Sequence, residues 1–133
     1  MSKRKNIEER LQISISHYIQ VQYPKVIFTS ESSGVRVNMG TAIKMKKQRS
    51  KHKLPDLMIF ESNSIYKGLF IELKKDFNEI HKKDGSYRQT EHILKQLETL
   101  KLLNKQGYLA LFGCGFDETK RIIDDYLSII KTK

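Results

Sequence analysis

The chain has no tryptophan, one cysteine and two prolines among its 133 residues. A single cysteine, Cys114, excludes an intramolecular disulfide and a cysteine-based zinc site. It also fits a reducing compartment, so a cytoplasmic location is expected. Cys114 follows the apolar run from Leu109 and precedes Gly115, which suits a small residue at a strand end. A nucleophilic role would need a partner base, and none accompanies it. No apolar run approaches the length of a membrane span, and polar residues follow the opening Met-Ser-Lys-Arg-Lys. Neither a signal peptide nor a membrane anchor is therefore expected. The histidines His17, His52, His81 and His92 are scattered without metal-ligand spacing and read as structural or surface residues. Aromatic residues do not interleave with the basic ones, so no platform for stacking single-stranded bases is expected. Acidic residues are in deficit: 15 Asp and Glu stand against 25 Lys and Arg, for a formal charge of +10. A compact chain this basic repels itself, and the usual compensation is an anionic partner, most often nucleic acid.

What is present suits one modest core. Hydrophobic residues make up 38% and come in clusters, and 30% are charged, which fits a wet surface rather than disorder. One domain spanning 1–133 is expected. Ile7, Leu11, Ile15, Tyr18 and Ile19 recur at helical spacing, predicting an amphipathic helix from Ile7 to about Gln22 that Pro24 ends. Val26–Phe28 predicts a short strand, and a polar stretch from Ser30 to Gly40 follows. Met39–Lys47 suits a basic helix and Ser50–Leu54 a linker. Asp56–Phe60 and Gly68–Lys74 predict two strands paired as a hairpin. A charged loop, Asp76 to Tyr87, leads to a helix over Gln89–Lys105. Ile93, Leu94, Leu97, Leu100 and Leu102 or Leu103 would line its apolar side, with Gly107 at its end. Tyr108–Phe112 predicts a strand, and Thr119 to about Ile130 a last helix. A strand-helix-strand crossover requires a parallel pair, whereas the earlier turns suggest antiparallel pairing. The expected fold is α/β, a mixed four-stranded sheet flanked by helices in the order α-β-[α]-β-β-α-β-α.

The chemistry concentrates on the hairpin. Glu72 and Lys74 are two residues apart on one strand, so both side chains share a face and Leu73 points to the other. Asp56 begins the neighbouring strand and can come beside Glu72. Two carboxylates forced together repel unless a cation sits between them, and oxygen donors of this kind suit Mg²⁺ or Mn²⁺. Such an ion accepts phosphate oxygens and activates water, and a neighbouring lysine would contact the phosphate or act on the attacking water. Charged residues seldom follow an apolar run such as Gly68-Leu69-Phe70-Ile71 without a use.

Leu54-Pro55-Asp56-Leu57 followed by Gly68-Leu69-Phe70-Ile71-Glu72-Leu73-Lys74 resembles the bipartite signature of the PD-(D/E)xK nuclease superfamily. Gln96-Leu97 through Gly107-Tyr108-Leu109-Ala110, together with the opening Glu8-Glu9-Arg10-Leu11-Gln12, is similar to its VRR-NUC branch. The resemblance runs from about Glu8 to Tyr126. It implies a restriction-endonuclease-like core, with Asp56 and Glu72 as metal ligands, the main-chain carbonyl of Leu73 helping, and Lys74 catalytic. It also implies that Gln96 reaches the site from the helix facing the sheet and that Glu8 approaches as a ligand from the first helix. Glu9 competes with Glu8, and Gln89 with Gln96. Lys53-Leu54 stands where the family usually has a glycine before Pro-Asp, and there is no Val-Arg-Arg triplet.

Lys44, Lys46, Lys47, Arg49, Lys51 and Lys53 lead directly into Pro55-Asp56, and Arg36 lies upstream. Beside a phosphodiester-cleaving site such a run would grip the DNA backbone. No base-reading module is recognisable, which favours recognition of backbone and shape. The resulting expectation is a metal-dependent DNA endonuclease acting on branched DNA. Stand-alone proteins of the branch resemble Holliday-junction resolvases, many of them from phages. Two symmetric cuts then imply a homodimer, in a bacterial host cell or encoded by a phage. The alternative is a non-catalytic or sequence-reading DNA-binding protein with the same fold.

Overall fold

The computed structural model describes residues 3–30 and 38–131, with the side chains of 3–6 left aside. Arg36 lies outside the described residues. Helix α1 spans Lys3–Gln22, strand β1 Phe28–Ser30, helix α2 Met39–Lys47, β2 Leu57–Ile59, β3 Leu69–Lys74, α3 Glu91–Lys105, β4 Leu109–Cys114 and α4 Gly115–Ser128. A short 3-10 turn, Phe77–Glu79, follows β3. The strands form one sheet in the order β1-β2-β3-β4. β1–β2 and β2–β3 are antiparallel, and β3–β4 is parallel across the α3 crossover. This is the expected mixed four-stranded sheet with flanking helices.

Both faces of the sheet are covered, which explains why β3 is buried along its whole length. Leu11, Ile15 and Ile19 of α1 and Ile123 and Tyr126 of α4 pack on Leu57, Ile59, Leu69, Ile71 and Leu73. On the opposite face Ile93 and Leu100 of α3 pack with Met58, Phe70, Ala110 and Phe112. Alternation thus directs the odd-numbered residues of β3 to α1 and α4, and Phe70 and its period-two successors Glu72 and Lys74 to α3. Gly113 lets α4 lie close: a Cβ there would come within 2.6 Å of Thr119 Oγ1 and 2.8 Å of Ile71 Cγ2.

Several boundaries differ from the sequence expectation. β1 begins at Phe28 rather than Val26, because the Val26 amide closes a turn onto the Tyr23 carbonyl. α4 begins at Gly115, four residues before Thr119, with the Glu118 carboxylate accepting from the Cys114 amide at its start. In α3, Leu94 and Leu102 are exposed, and Gln96 and Thr99 take inward positions beside Ile93 and Leu100. Thr90 caps the helix by accepting from the Ile93 amide, which sets that rotation. Gly107 follows its end at φ 103°, as a helix terminus of this kind requires.

Candidate active site

Asp56 lies one residue before β2. The pair Leu57–Ile71 ends the β2–β3 register, and one step further Asp56 faces Glu72. Asp56 Oδ2 accepts from the Leu73 amide at 2.9 Å, which holds the carboxylate against β3. A strand residue's N–H and C=O point to the same side, so the Leu73 carbonyl is directed toward Asp56 as well. Glu72 and Lys74 are only 4% and 5% exposed, an unusual depth for two ionisable residues. Burial, and then the charge and hydrogen bonding of Asp56, push the Glu72 carboxyl up to about 9; Lys74 and Lys53 oppose the shift. Without a cation, the two carboxylates are thus relieved by a proton on Glu72 at neutral pH.

That shift has a consequence for stability. Glu72 holds its proton more tightly folded than unfolded, so its contribution is fully present below its ordinary value of 4.5 and is lost as pH rises toward about 9. Glu72→Gln keeps the shape and cannot ionise. In chelator its melting temperature is expected to exceed that of the natural protein at pH 9, with the gap closing near pH 5. Thermal melts at the two pH values check this, and a gap that is constant with pH would contradict it.

Lys74 reaches back along the same face. Its Nζ lies 3.8 Å from Glu79 Oε1 and 5.9 Å from the centre of the Phe112 ring. Glu79 Oε2 accepts from the Lys75 amide at 3.0 Å, so one buried carboxylate ties both the ammonium and the strand end. Asp76 starts the turn carrying Glu79 by accepting from the Glu79 amide. Sequence reading passed over Glu79, since four residues of irregular chain separate it from Lys74 and no spacing rule marks it. Arg88 was passed over too, and His92 was read as a structural or surface residue; both line the cavity beside Lys74. Partial desolvation, then the charges of Lys74 and Lys53, lower the His92 pKa, while Glu79 and Asp56 oppose them.

Glu8 opens onto this same cavity and is half-buried, whereas Glu9 is exposed. The first turns of α1 therefore reach the end of β3, although the body of the helix packs on the other face. Glu8 is not gathered with Asp56 and Glu72: among the described residues no three His, Cys, Asp or Glu side chains form a metal-binding cluster. Gln96 is buried on the sheet-facing side of α3, and its Oε1 has no hydrogen-bond partner among the described residues. Gln89 is exposed and donates to the Tyr87 carbonyl, so it serves its own loop. A buried acceptor left unpaired is costly unless something absent from the protein meets it.

The basic segment divides. α2 buries none of its residues, and Lys44, Lys46, Lys47, Arg49, Lys51 and Lys53 are exposed. Lys53 is close enough to act electrostatically on both Glu72 and His92. Lys44, Lys46 and Lys47 occupy the last turn of α2, where their charge also suits the helix dipole. Among the described residues no helix is long and apolar enough to cross a membrane.

A solved structure of a VRR_NUC domain protein superposes on this chain with a TM-score of 0.69 and 23% sequence identity, covering 96% of this chain and 93% of that one. No family model matches the sequence, and no curated protein matches it. The chain therefore has the VRR_NUC type of α/β fold, a mixed sheet with helices on both faces, over nearly its full length.

Proposed function

We propose that this chain is a metal-dependent DNA endonuclease that hydrolyses phosphodiester bonds in branched DNA. The observation that carries the reading is the facing of Asp56 and Glu72 across β2 and β3, with Lys74 two residues further on the same face. The VRR_NUC-type fold and the net charge of +10 support it.

The residues present fit a divalent cation. Two opposed carboxylates and the Leu73 carbonyl offer hard oxygen donors, and a cation between the carboxylates would offset the repulsion of Glu72 by Asp56. The orphaned Gln96 Oε1 supplies an acceptor for a ligand water. Mg²⁺ keeps several waters and is commonly held by one or two carboxylates, so a third is not required. When bound, Mg²⁺ or Mn²⁺ would polarise the phosphoryl group and supply an activated water.

The remaining residues bind and orient. Lys74 contacts the scissile phosphate and stabilises the charge that develops on it, with Glu79 holding the ammonium in place. Gln96 orients water beside the carboxylates, and Glu8 presents a further acceptor at the cavity mouth. The exposed run from Lys44 to Lys53 grips the DNA backbone next to the site. Backbone contacts position DNA without reading its sequence, which suits selection by shape. A four-way junction resolved by two symmetric cuts needs two such centres, and one chain carries one, so the working species is a homodimer.

The test is cleavage of matched linear, nicked, flapped and four-way DNAs in Mg²⁺. The four-way junction is expected to be cut fastest and the linear duplex slowest. Equal rates on all four would reject the selectivity, and sequence-fixed cuts in linear duplex would favour a sequence-reading enzyme.

A further inference from the structure

The loop between β3 and α3 builds an aromatic stack. The Phe77 and His81 rings lie 3.8 Å apart and 9° from parallel. His81 stacks in turn on Tyr87 at 4.8 Å, and Tyr87 lies 6.0 Å from Phe112. The segment carrying these rings is locally fixed. Lys82 and Ser86 close a tight hairpin at 2.8 Å, with Gly85 at φ 88° in the turn. The Arg88 amide bonds the Ile80 carbonyl, and Ile80 is fully buried. Yet Tyr87 remains 40% exposed.

The outer side of this stack opens on a groove between α3 and the sheet edge. Tyr87 forms its aromatic wall and Phe112 and Leu97 its apolar floor, and Lys101 and Lys105 edge it. The two lysines are one helical turn apart and both exposed. Phe112 pairs with Glu72 across β3 and β4 and has the Lys74 ammonium near its ring. Adjacent strands are about 4.8 Å apart, so the groove begins within one nucleotide's reach of the candidate centre.

We propose that this groove is a subsite that takes an unpaired base of the substrate, stacked on Tyr87, with Lys101 and Lys105 on the flanking phosphates. A planar, rigid ring beside an apolar floor matches a base face, which every base offers, and the two ammonium groups match the charge of the strand. A base inside a duplex is already stacked and cannot enter, so the subsite favours strands opened at a branch or flap. Phe77 and His81 act behind Tyr87 as its support. The inference rests on DNA being the substrate of the adjoining centre.

The experiment uses Glu72→Gln protein in chelator, so that no cleavage is needed. Fluorescence anisotropy compares a short labelled dT strand with a duplex of equal length. Tyr87→Leu is expected to weaken binding of the single strand by about tenfold or more, with duplex binding unchanged, and Tyr87→Phe should retain both. Equal losses on the two DNAs, or none, overturn the subsite. Because Tyr87→Leu can also disturb the hairpin, a second readout needs no substitution there. A short dT strand carrying one 2-aminopurine, weakly stacked when free, is expected to lose emission on binding as the base stacks on Tyr87; emission that is unchanged or rises at saturation overturns the proposal. If the natural protein cuts no DNA in Mg²⁺ while the Tyr87-dependent preference persists, the nuclease reading fails and the subsite stands.

Discussion

Asp56→Ala and Glu72→Ala are each expected to reduce cleavage by about 10³-fold or more, to background, while DNA binding in chelator stays near that of the natural protein. The size follows from removing a preorganised centre that acts on the charge of the transition state; single groups of that kind are worth about 10²–10³ in rate. Binding is expected to survive because the residues proposed to meet the backbone, the exposed basic run from Lys44 to Lys53, are untouched. The two substitutions differ in one respect. Asp56 also accepts from the Leu73 amide, so its loss leaves a strand-end donor unpaired and lowers stability. Glu72→Ala removes the hydrogen bond to Asp56 together with a buried carboxyl that burial disfavours in its charged form, and leaves the Leu73 amide paired. Cleavage kinetics alongside thermal melts separate the two effects. Full activity in either variant would remove the proposed centre.

Lys74→Ala lowers the cleavage rate at saturating DNA by more than about 10²-fold, the usual cost of losing a group that acts on the nucleophile or the developing charge. Metal affinity changes little, because the ammonium is not a ligand. Glu79 would be left as a buried carboxylate without its cation, so some stability is lost as well. Lys74→Ala combined with Glu79→Gln should regain that stability and none of the activity. Calorimetric titration with Mn²⁺ is the control: loss of metal binding in Lys74→Ala would make Lys74 a support of the site rather than a participant.

Much of the fold was legible because its signals are local. The period-two residues of β3 and the helical spacing of Leu11, Ile15 and Ile19 each point to one buried face, and the crossover rule then orders the sheet. The Asp56–Glu72 juxtaposition followed from the hairpin alone. What failed to show depends on rotation and on irregular backbone. The resemblance put Gln96 on the sheet-facing side of α3, where it is buried, but periodicity did not. A helix can turn by one residue without breaking its apolar stripe, so Thr99 is buried, Leu94 is exposed, and of Leu102 and Leu103 it is Leu103 that packs inward. Hydrophobicity alone ranks them the other way, and the cap at Thr90 settles it. The loop from Asp76 to Tyr87 reads as charged and featureless, since side-chain caps and stacked rings have no period. There the structure adds Glu79 and the Phe77–His81–Tyr87 stack, with Arg88 just beyond the loop.

If Asp56 and Glu72 form a metal-dependent cleavage centre, it shows on one labelled four-way junction followed with the natural protein in chelator, then after adding Mg²⁺ in excess, with Glu72→Gln run in parallel. Paired, 5′-phosphate-bearing or 3′-phosphate-bearing cuts that appear only with Mg²⁺ and only with the natural protein are the predicted result. An intact junction under every condition, or cleavage that persists in chelator or in Glu72→Gln, would contradict it.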